Sequence, residues 1–451
     1  MSRQLFGTDG IRGKANVYPM VPEVALKLGM SIAYTFRQAK HRSRFLIGKD
    51  TRLSCYMFEQ ALAAGICAMG GEALLVGPLP SPAIAFLTRD MRADAGAVIS
   101  ASHNPFNDNG IKFFDSEGYK LPDELELQLE ELVLGDQLAT FAAGDAEIGR
   151  TRRIEDAAGR YIVFLKRSFP RELSLEGLRV VVDCANGAAY KVAPTVFYEL
   201  GADVEPLGVS PNGLNINHEN GAVSPAAMAR RVKEVGAHIG VALDGDADRC
   251  ILVDESGSVV DGDELMAIVA SHRLQHGSLV KNTVVATLMS NLGLDIAVER
   301  HGGQVVKTAV GDRYVIAEML RGGYEFGGEQ SGHLIFHDLT STGDGILSAL
   351  QVLAVMLREQ KPLSELRRVM ERLPQVLVNL KVRDKPPLET LTKVNGCIAR
   401  IEGALGRTGR VVVRYSGTEA KVRIMLEGPD QSRIESFADE IADAFRNEIG
   451  L

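Results

Sequence analysis

Short β-branched apolar runs recur along the chain at Phe45–Ile47, Arg179–Asp183, Ile239–Leu243 and Thr283–Ala286, and longer stretches with a 3.6-residue apolar period lie between them. Three of these stretches, Pro22–Ala39, Pro225–Gly236 and Gly343–Gln360, read as helices, and the first opens on a proline suited to a first helical turn. Nearly continuous apolar strands alternating with helices predict βαβ units whose largely parallel sheets are covered on both faces. The last part differs. Gly409–Arg414 and Lys421–Leu426 read as strands around a short polar loop. Asp430–Asn447 follows as an amphipathic helix with Ile434, Phe437, Ile441 and Phe445 on one stripe. That pattern predicts an antiparallel α+β module.

A faint threefold repetition runs through the rest. Near residues 47, 182 and 286 a strand leads into a polar loop (GKDTR, DCANG, LMSN), and further along each third a second strand ends in SASHNP, DGDADR or GEQSGH. The expected fold class is therefore α/β: three related domains with mixed or parallel sheets, over 1–150, 151–253 and 254–368, and a C-terminal α+β domain over 369–451. Parallel sheets gather ligands at the carboxyl ends of their strands, which would place the three loops around one central cleft.

The length of 451 residues fits several domains with substantial cores. A net charge of −8 argues against binding nucleic acid through bulk charge, but a small anionic ligand needs only a local basic site. Five cysteines, Cys55, Cys67, Cys184, Cys250 and Cys397, are odd in number and form no C-x-x-C pair, which suits a reducing compartment. The N-terminal residues lack the apolar segment of a signal peptide. The longest apolar stretch, Ile346–Leu357, is too short to span a bilayer. A soluble cytoplasmic protein without a membrane partner is expected.

Four loops carry candidate chemistry. In SASHNP, Ser102 sits where a strand breaks into a turn, an exposed and tightly held position for a nucleophile or phosphate carrier. His103 adjoins it in sequence, which tends to turn the two side chains apart, while Lys112 offers a nearby cation. In DGDADR, Asp244, Asp246 and Asp248 alternate along what reads as an extended segment. Their carboxylates would repel without a cation, and hard oxygen ligands suit Mg²⁺. A calcium loop does not fit, because Arg249 stands where glycine is needed. In GEQSGH, Glu329, Gln330, Ser331 and His333 offer the donors and acceptors that read sugar hydroxyls. In Arg414–Arg423, two arginines, two hydroxyls and a glycine suit a phosphate dianion. Two weaker segments join them: FGTDGIRG, which puts Arg12 in a turn, and Val310–Tyr314, which puts Asp312 near a helix start.

Taken together and in this order, these motifs resemble the α-D-phosphohexomutase family, most closely its bacterial phosphoglucosamine mutase branch. The resemblance implies four domains around a central cleft. It implies a phosphoserine at Ser102, and one Mg²⁺ held by Asp244, Asp246, Asp248 and an oxygen at Ser102. Arg12, Lys112 and Arg249 would stabilise charge at the reacting phosphoryl group, and Lys112 and His333 would be candidates for proton transfer. Asp312, Glu329, Gln330 and Ser331 would bind the sugar. Arg414, Ser416, Gly417, Thr418 and Arg423 would hold the phosphate that is not reacting. The implied reaction interconverts glucosamine 6-phosphate and glucosamine 1-phosphate through a 1,6-bisphosphate, with glucosamine 1,6-bisphosphate or glucose 1,6-bisphosphate as priming activator. Its product would feed UDP-N-acetylglucosamine synthesis. The implied partner is a phosphosugar, and a homodimer is compatible with it. A glucose or mannose phosphate mutase is the alternative. A catalytically silent relative is disfavoured, because Ser102 and all three aspartates are kept. Tyr415, Ala420 and the His218–Gly221 segment depart from the family's usual pattern.

Overall fold

The computed structural model describes residues 4–7, 9–38, 41–416 and 420–449, and within them the chain builds four sheets. Three of these share one strand order. In the first, Asp108–Asp115, Ala95–Ile99, Arg44–Lys49 and Glu72–Pro78 lie side by side. In the second the order is Cys250–Asp254, Ile239–Leu243, Arg179–Asp183 and Asp203–Leu207. In the third it is Leu334–Phe336, Phe326–Gly328, Thr283–Thr287 and Gln304–Thr308. Each time the last three strands are parallel and the first is antiparallel to its neighbour. The threefold repetition is thus a repetition of topology. The SASHNP, DGDADR and GEQSGH loops are one element used three times, the link from the second strand in this order to the antiparallel first.

Extra edge strands widen two of the sheets. Ile11–Lys14 and Arg150–Arg153 join the first, which therefore runs through residue 150, and Val259–Val260 carries the second past residue 253. The central strands are apolar on both faces because helices cover both, and Val180–Val182 and Val284–Ala286 are fully buried. One continuous core runs from Leu46 through Val182 and Val284 to Leu363, tying the first three domains together. The fourth sheet is antiparallel throughout, in the order Gln375–Lys381, Lys421–Glu427, Arg410–Tyr415, and packs with Gln431–Ile449 around a core of its own.

The junction with the fourth domain includes a polar cluster. Buried Glu427 accepts from Arg410 Nε at 2.6 Å, from Asn291 Nδ2 at 3.2 Å and from the Leu292 N–H at 3.1 Å. The helix expected over 22–39 runs only over Pro22–Thr35. There the Ser43 hydroxyl donates to the Phe36 carbonyl and accepts from the Gln38 N–H, folding the chain back before the apolar period ends. Among the described residues, no helix is long and apolar enough to cross a membrane.

Candidate active site

Ser102 lies in the turn that follows the strand Ala95–Ile99 and is almost wholly buried, not exposed as its place in a loop suggested. Its Oγ donates to Asp244 Oδ2 at 2.6 Å, and the second domain's loop covers it. Its φ of +51° lies in the left-handed region, which costs a residue with a Cβ about 1–3 kcal/mol and persists only where neighbours impose it. Two side chains do so. Fully buried Arg52 donates to the carbonyls of Ser102 and Asn104, both at 2.9 Å, and also to that of Pro105. Asn217 donates to the same Ser102 and Asn104 carbonyls at 2.8 and 3.0 Å. Arg52 is held in turn by Asp50 at 2.8 Å. His103, expected to turn away, places Nδ1 3.3 Å from Ser102 Oγ, because the left-handed turn swings the two side chains together.

Asp244, Asp246 and Asp248 are buried, and one carboxylate oxygen from each lies within 4.8 Å of the others. The segment is a turn rather than an extended strand. Ala247 has a φ of +55°, and that reversal gathers the carboxylates. Ser81 donates to Asp246 Oδ2 at 2.6 Å, whereas the Oδ1 atoms of Asp246 and Asp248 are buried without a hydrogen-bond partner. Burial, then Asp248 and Asp246, push the Asp244 carboxyl well above the usual carboxylate range. Three buried, clustered carboxylates, two of them with an oxygen left without a hydrogen-bond partner, are what a hard divalent cation relieves, so the donor set fits Mg²⁺.

Cations ring this cluster. Lys112 Nζ lies 3.0 Å from Asp9, 3.3 Å from Asp246 and 3.9 Å from Asp248. Burial works against its charge, but Asp246 and Asp9 outweigh burial and raise its pKa, so it is held protonated. His333, 2% exposed, sits with Nδ1 3.6 Å from Asp248 and Nε2 3.5 Å from Asp312. Burial opposes its charge as well, and Asp248, Asp312 and Glu329 overcome it. The ring lies against Gly343, where a Cβ would come 2.4 Å from its Nε2. Arg12 pairs with Asp9, and Arg249 Nε lies 3.8 Å from Asp248.

Above the cluster opens a cavity of about 410 Å³, lined among others by Asp9, Arg12, Arg249, Asp312, Glu329 and His333. Glu329 accepts from the Gly311 N–H at 3.0 Å, and Ser331 Oγ lies 3.5 Å from Glu329. Gln330 Nε2 is buried with no partner. Arg414 and Arg423 stand directly opposite each other on adjacent strands. Burial, then Arg423, lower the Arg414 pKa. Two facing arginines strain the hairpin unless an anion lies between them. Ser416 follows at the strand end, while Gly417 and Thr418 lie outside the described residues. Among the described residues, none of the C-terminal domain lines this cavity.

The structure therefore brings Ser102, Lys112, the three aspartates, Arg12, Arg249, Asp312, Glu329 and His333 together, and leaves Arg414, Ser416 and Arg423 off this cavity. It also adds residues that sequence reading passed over: Asp9, Lys120, Arg52, Asp50 and Asn217. Lys120 bridges Asp9 of the first domain and Asp312 of the third.

Comparison with known proteins gives one consistent result. Four models of phosphoglucomutase/phosphomannomutase match in order: the α/β/α domains I, II and III over residues 3–139, 160–257 and 261–373, and the C-terminal domain over 377–444. A phosphoglucosamine mutase of Geobacter sp. (strain M21) is 59% identical over 448 residues, covering 99% of both chains. A phosphoglucomutase/phosphomannomutase family protein from Burkholderia thailandensis superposes with a TM-score of 0.82 at 22% identity, covering 98% of this chain and 97% of that one. The N-acetylphosphoglucosamine mutase of Aspergillus fumigatus, solved with GlcNAc-6P and magnesium, gives 0.68 at 19% identity, covering 99% and 96%.

Proposed function

Since this chain belongs to the phosphoglucomutase/phosphomannomutase family, we propose that it acts as a phosphoglucosamine mutase, interconverting glucosamine 6-phosphate and glucosamine 1-phosphate with Ser102 as phosphoryl carrier. The observation that carries this reading is the buried Ser102 hydroxyl at 2.6 Å from the first of three clustered aspartates. A divalent cation held by Asp244, Asp246 and Asp248 would neutralise charge on the transferring phosphoryl oxygens.

The chain's own residues do the rest. In the first transfer the sugar 1-hydroxyl oxygen bonds to the phosphorus carried on Ser102, and the bond from phosphorus to Ser102 Oγ breaks. One proton passes overall from the sugar hydroxyl to Ser102 Oγ. Lys112 and His333, whose pKa values the neighbouring carboxylates raise against burial, are the candidates to deliver it. Arg12 and Arg249 complement the phosphoryl charge from the cavity side. Burial of Ser102 limits access of water, which would otherwise hydrolyse the phosphoserine. The 1,6-bisphosphate then turns in the cleft and returns its 6-phosphoryl group to Ser102. Arg414 and Arg423 hold the remote phosphate in each half-reaction, so that the C-terminal domain closes over it. Glu329 and Ser331 read sugar hydroxyls. Gln330 Nε2, buried without a partner, supports a role for this side chain in meeting the substituent that distinguishes an amino sugar.

A substrate panel tests the reading. With a catalytic amount of glucose 1,6-bisphosphate and Mg²⁺, glucosamine 6-phosphate should show a higher kcat/KM than glucose 6-phosphate or mannose 6-phosphate. A preference for either of the latter would replace it with the glucose or mannose mutase reading.

A further inference from the structure

Two helices connect the catalytic loops to the far rim of the molecule. Gly262–Gln275 begins against the sugar loop, where the Gly262 N–H donates to the Gln330 carbonyl at 3.0 Å. Gly345–Glu359 begins against the metal loop, where the Gly345 N–H donates to the Ala247 carbonyl at 3.0 Å. At about 1.5 Å per residue, their carboxyl ends lie roughly 20 Å from those loops. There His272 and His276, one turn apart on the first helix, meet Glu359 on the last turn of the second. One ligand atom from each lies within 4.8 Å of the other two.

We infer that His272, His276 and Glu359 form a second cation site, selective for a borderline transition metal of the Zn²⁺ type and separate from the catalytic cleft. The hydrogen bonds of the two rings set which nitrogen each can offer. His276 Nδ1 lies 2.8 Å from the His272 carbonyl, so it carries the N–H and leaves the lone pair on Nε2. His272 Nδ1 lies 2.9 Å from Glu359 Oε1, a hydrogen bond in which a metal would take the proton's place. Metal–ligand bonds of about 2.0–2.1 Å at tetrahedral angles put ligand atoms roughly 3.4 Å apart. The His272–Glu359 pair need therefore open only slightly, while exposed His276 turns inward.

The surroundings agree. The two helix carboxyl ends present partial negative charge, which favours a cation. Clefts of about 460 and 420 Å³, both lined by His272, give a hydrated ion a way in. The opposing charges include Lys361, 3.9 Å from Glu359 Oε2, Arg358, and Arg273 and Arg368 on the walls of the clefts. Lys361 is 44% exposed and free to swing into solvent. Two imidazoles and one carboxylate suit Zn²⁺, whereas Mg²⁺ prefers the all-oxygen cluster of Asp244, Asp246 and Asp248. Such an ion would pin together the far ends of two helices whose near ends shape the active site.

The test uses untagged, full-length enzyme in excess Mg²⁺, so that the aspartate cluster is occupied. Zn²⁺ is titrated by calorimetry, and Co²⁺ is added in parallel as an optical probe. The parent should bind a Zn²⁺ equivalent that His276→Ala binds at least about tenfold more weakly. Its Co²⁺ complex should show visible absorption that His276→Ala and His272→Gln lack. Zn²⁺ should raise the Tm of the parent more than that of either variant. Turnover of His276→Ala in Mg²⁺ alone should match the parent, since His276 lies outside the cleft. Equal Zn²⁺ stoichiometry and affinity in parent and His276→Ala would overturn the site, as would a parent that takes up no Zn²⁺ under these conditions. The His272–Glu359 contact would then be a plain hydrogen bond between helices.

Discussion

Replacing Arg52 with lysine keeps a buried positive charge beside Asp50 but removes the planar fork that grips the serine loop. In the parent, the guanidinium donates to Asp50 at 2.8 Å and to the carbonyls of Ser102, Asn104 and Pro105. An ammonium on a shorter reach satisfies Asp50 and at most one carbonyl, so two charge-assisted hydrogen bonds are lost. At about 1.5–3 kcal/mol each, the variant should be roughly 3 kcal/mol less stable or somewhat worse. The larger consequence is for catalysis. The left-handed turn at Ser102 relaxes when its carbonyl is released, and a shift of about 1 Å in a reacting group costs on the order of 10²-fold in rate. Arg52 does not line the substrate cavity, so kcat should fall about a hundredfold while KM for glucosamine 6-phosphate moves only a few-fold. Mg²⁺ affinity should hold, because no aspartate of the cluster touches Arg52. Asn217→Ala acts on the same two carbonyls, so combining it with Arg52→Lys should cost less than the sum of the two effects. Steady-state kinetics with a matched unfolding curve decide the matter. A folded Arg52→Lys enzyme with parental kcat would show that the serine loop holds its geometry without the fork.

Asp246→Asn should weaken Mg²⁺ binding by removing a charge from the cluster, and chelation should abolish parental activity until Mg²⁺ is restored; full turnover in excess chelator would refute the site. Arg414→Ala should release more glucosamine 1,6-bisphosphate per turnover and lower kcat/KM by roughly tenfold for each 1.4 kcal/mol of lost phosphate binding, while phosphorylation of Ser102 by bisphosphate partly survives. Normal turnover without extra leakage would reduce that hairpin to a plain one. Buried Asp263 has its carboxyl pushed up to about 7, by burial first and Asp261 second. A folded pKa above the unfolded one means that its contribution is present below about pH 4 and is lost as pH rises to about 7. Asp263→Asn should therefore gain on the parent by up to a few kcal/mol between pH 4 and 7 in denaturant titrations, and a difference independent of pH would contradict the assignment.

The strands were legible because burial on both faces leaves a short apolar run bounded by turn signals, as Arg179–Asp183 and Ile239–Leu243 show. The three catalytic loops were legible because each motif carries its own residue types. What sequence could not reveal depends on partners distant in the chain. Asp9 lies within the very segment that drew attention to Arg12, but its value comes from Lys112 and Lys120, more than a hundred residues on. Arg52 lies in the GKDTR loop, and nothing local says that its guanidinium reaches residues 102–105. Asn217 opens a stretch that departs from the family pattern, yet its side chain holds the Ser102 carbonyl. The motif alone predicts an exposed Ser102, because strand-to-loop junctions usually lie at the surface. A second domain covers it, and no single-segment argument contains that domain.

The central claim is that Ser102 carries the phosphoryl group between the two oxygens of the sugar. Intact-mass spectrometry on enzyme incubated with glucosamine 1,6-bisphosphate and Mg²⁺, followed by peptide mapping and a chase with glucosamine 6-phosphate, tests it directly. The account predicts one added phosphoryl group, located on Ser102, that the chase removes as bisphosphate forms, and a folded Ser102→Ala enzyme that neither gains the mass nor turns over. Substantial turnover by Ser102→Ala, or a chaseable phosphoryl group on any other residue, would contradict it.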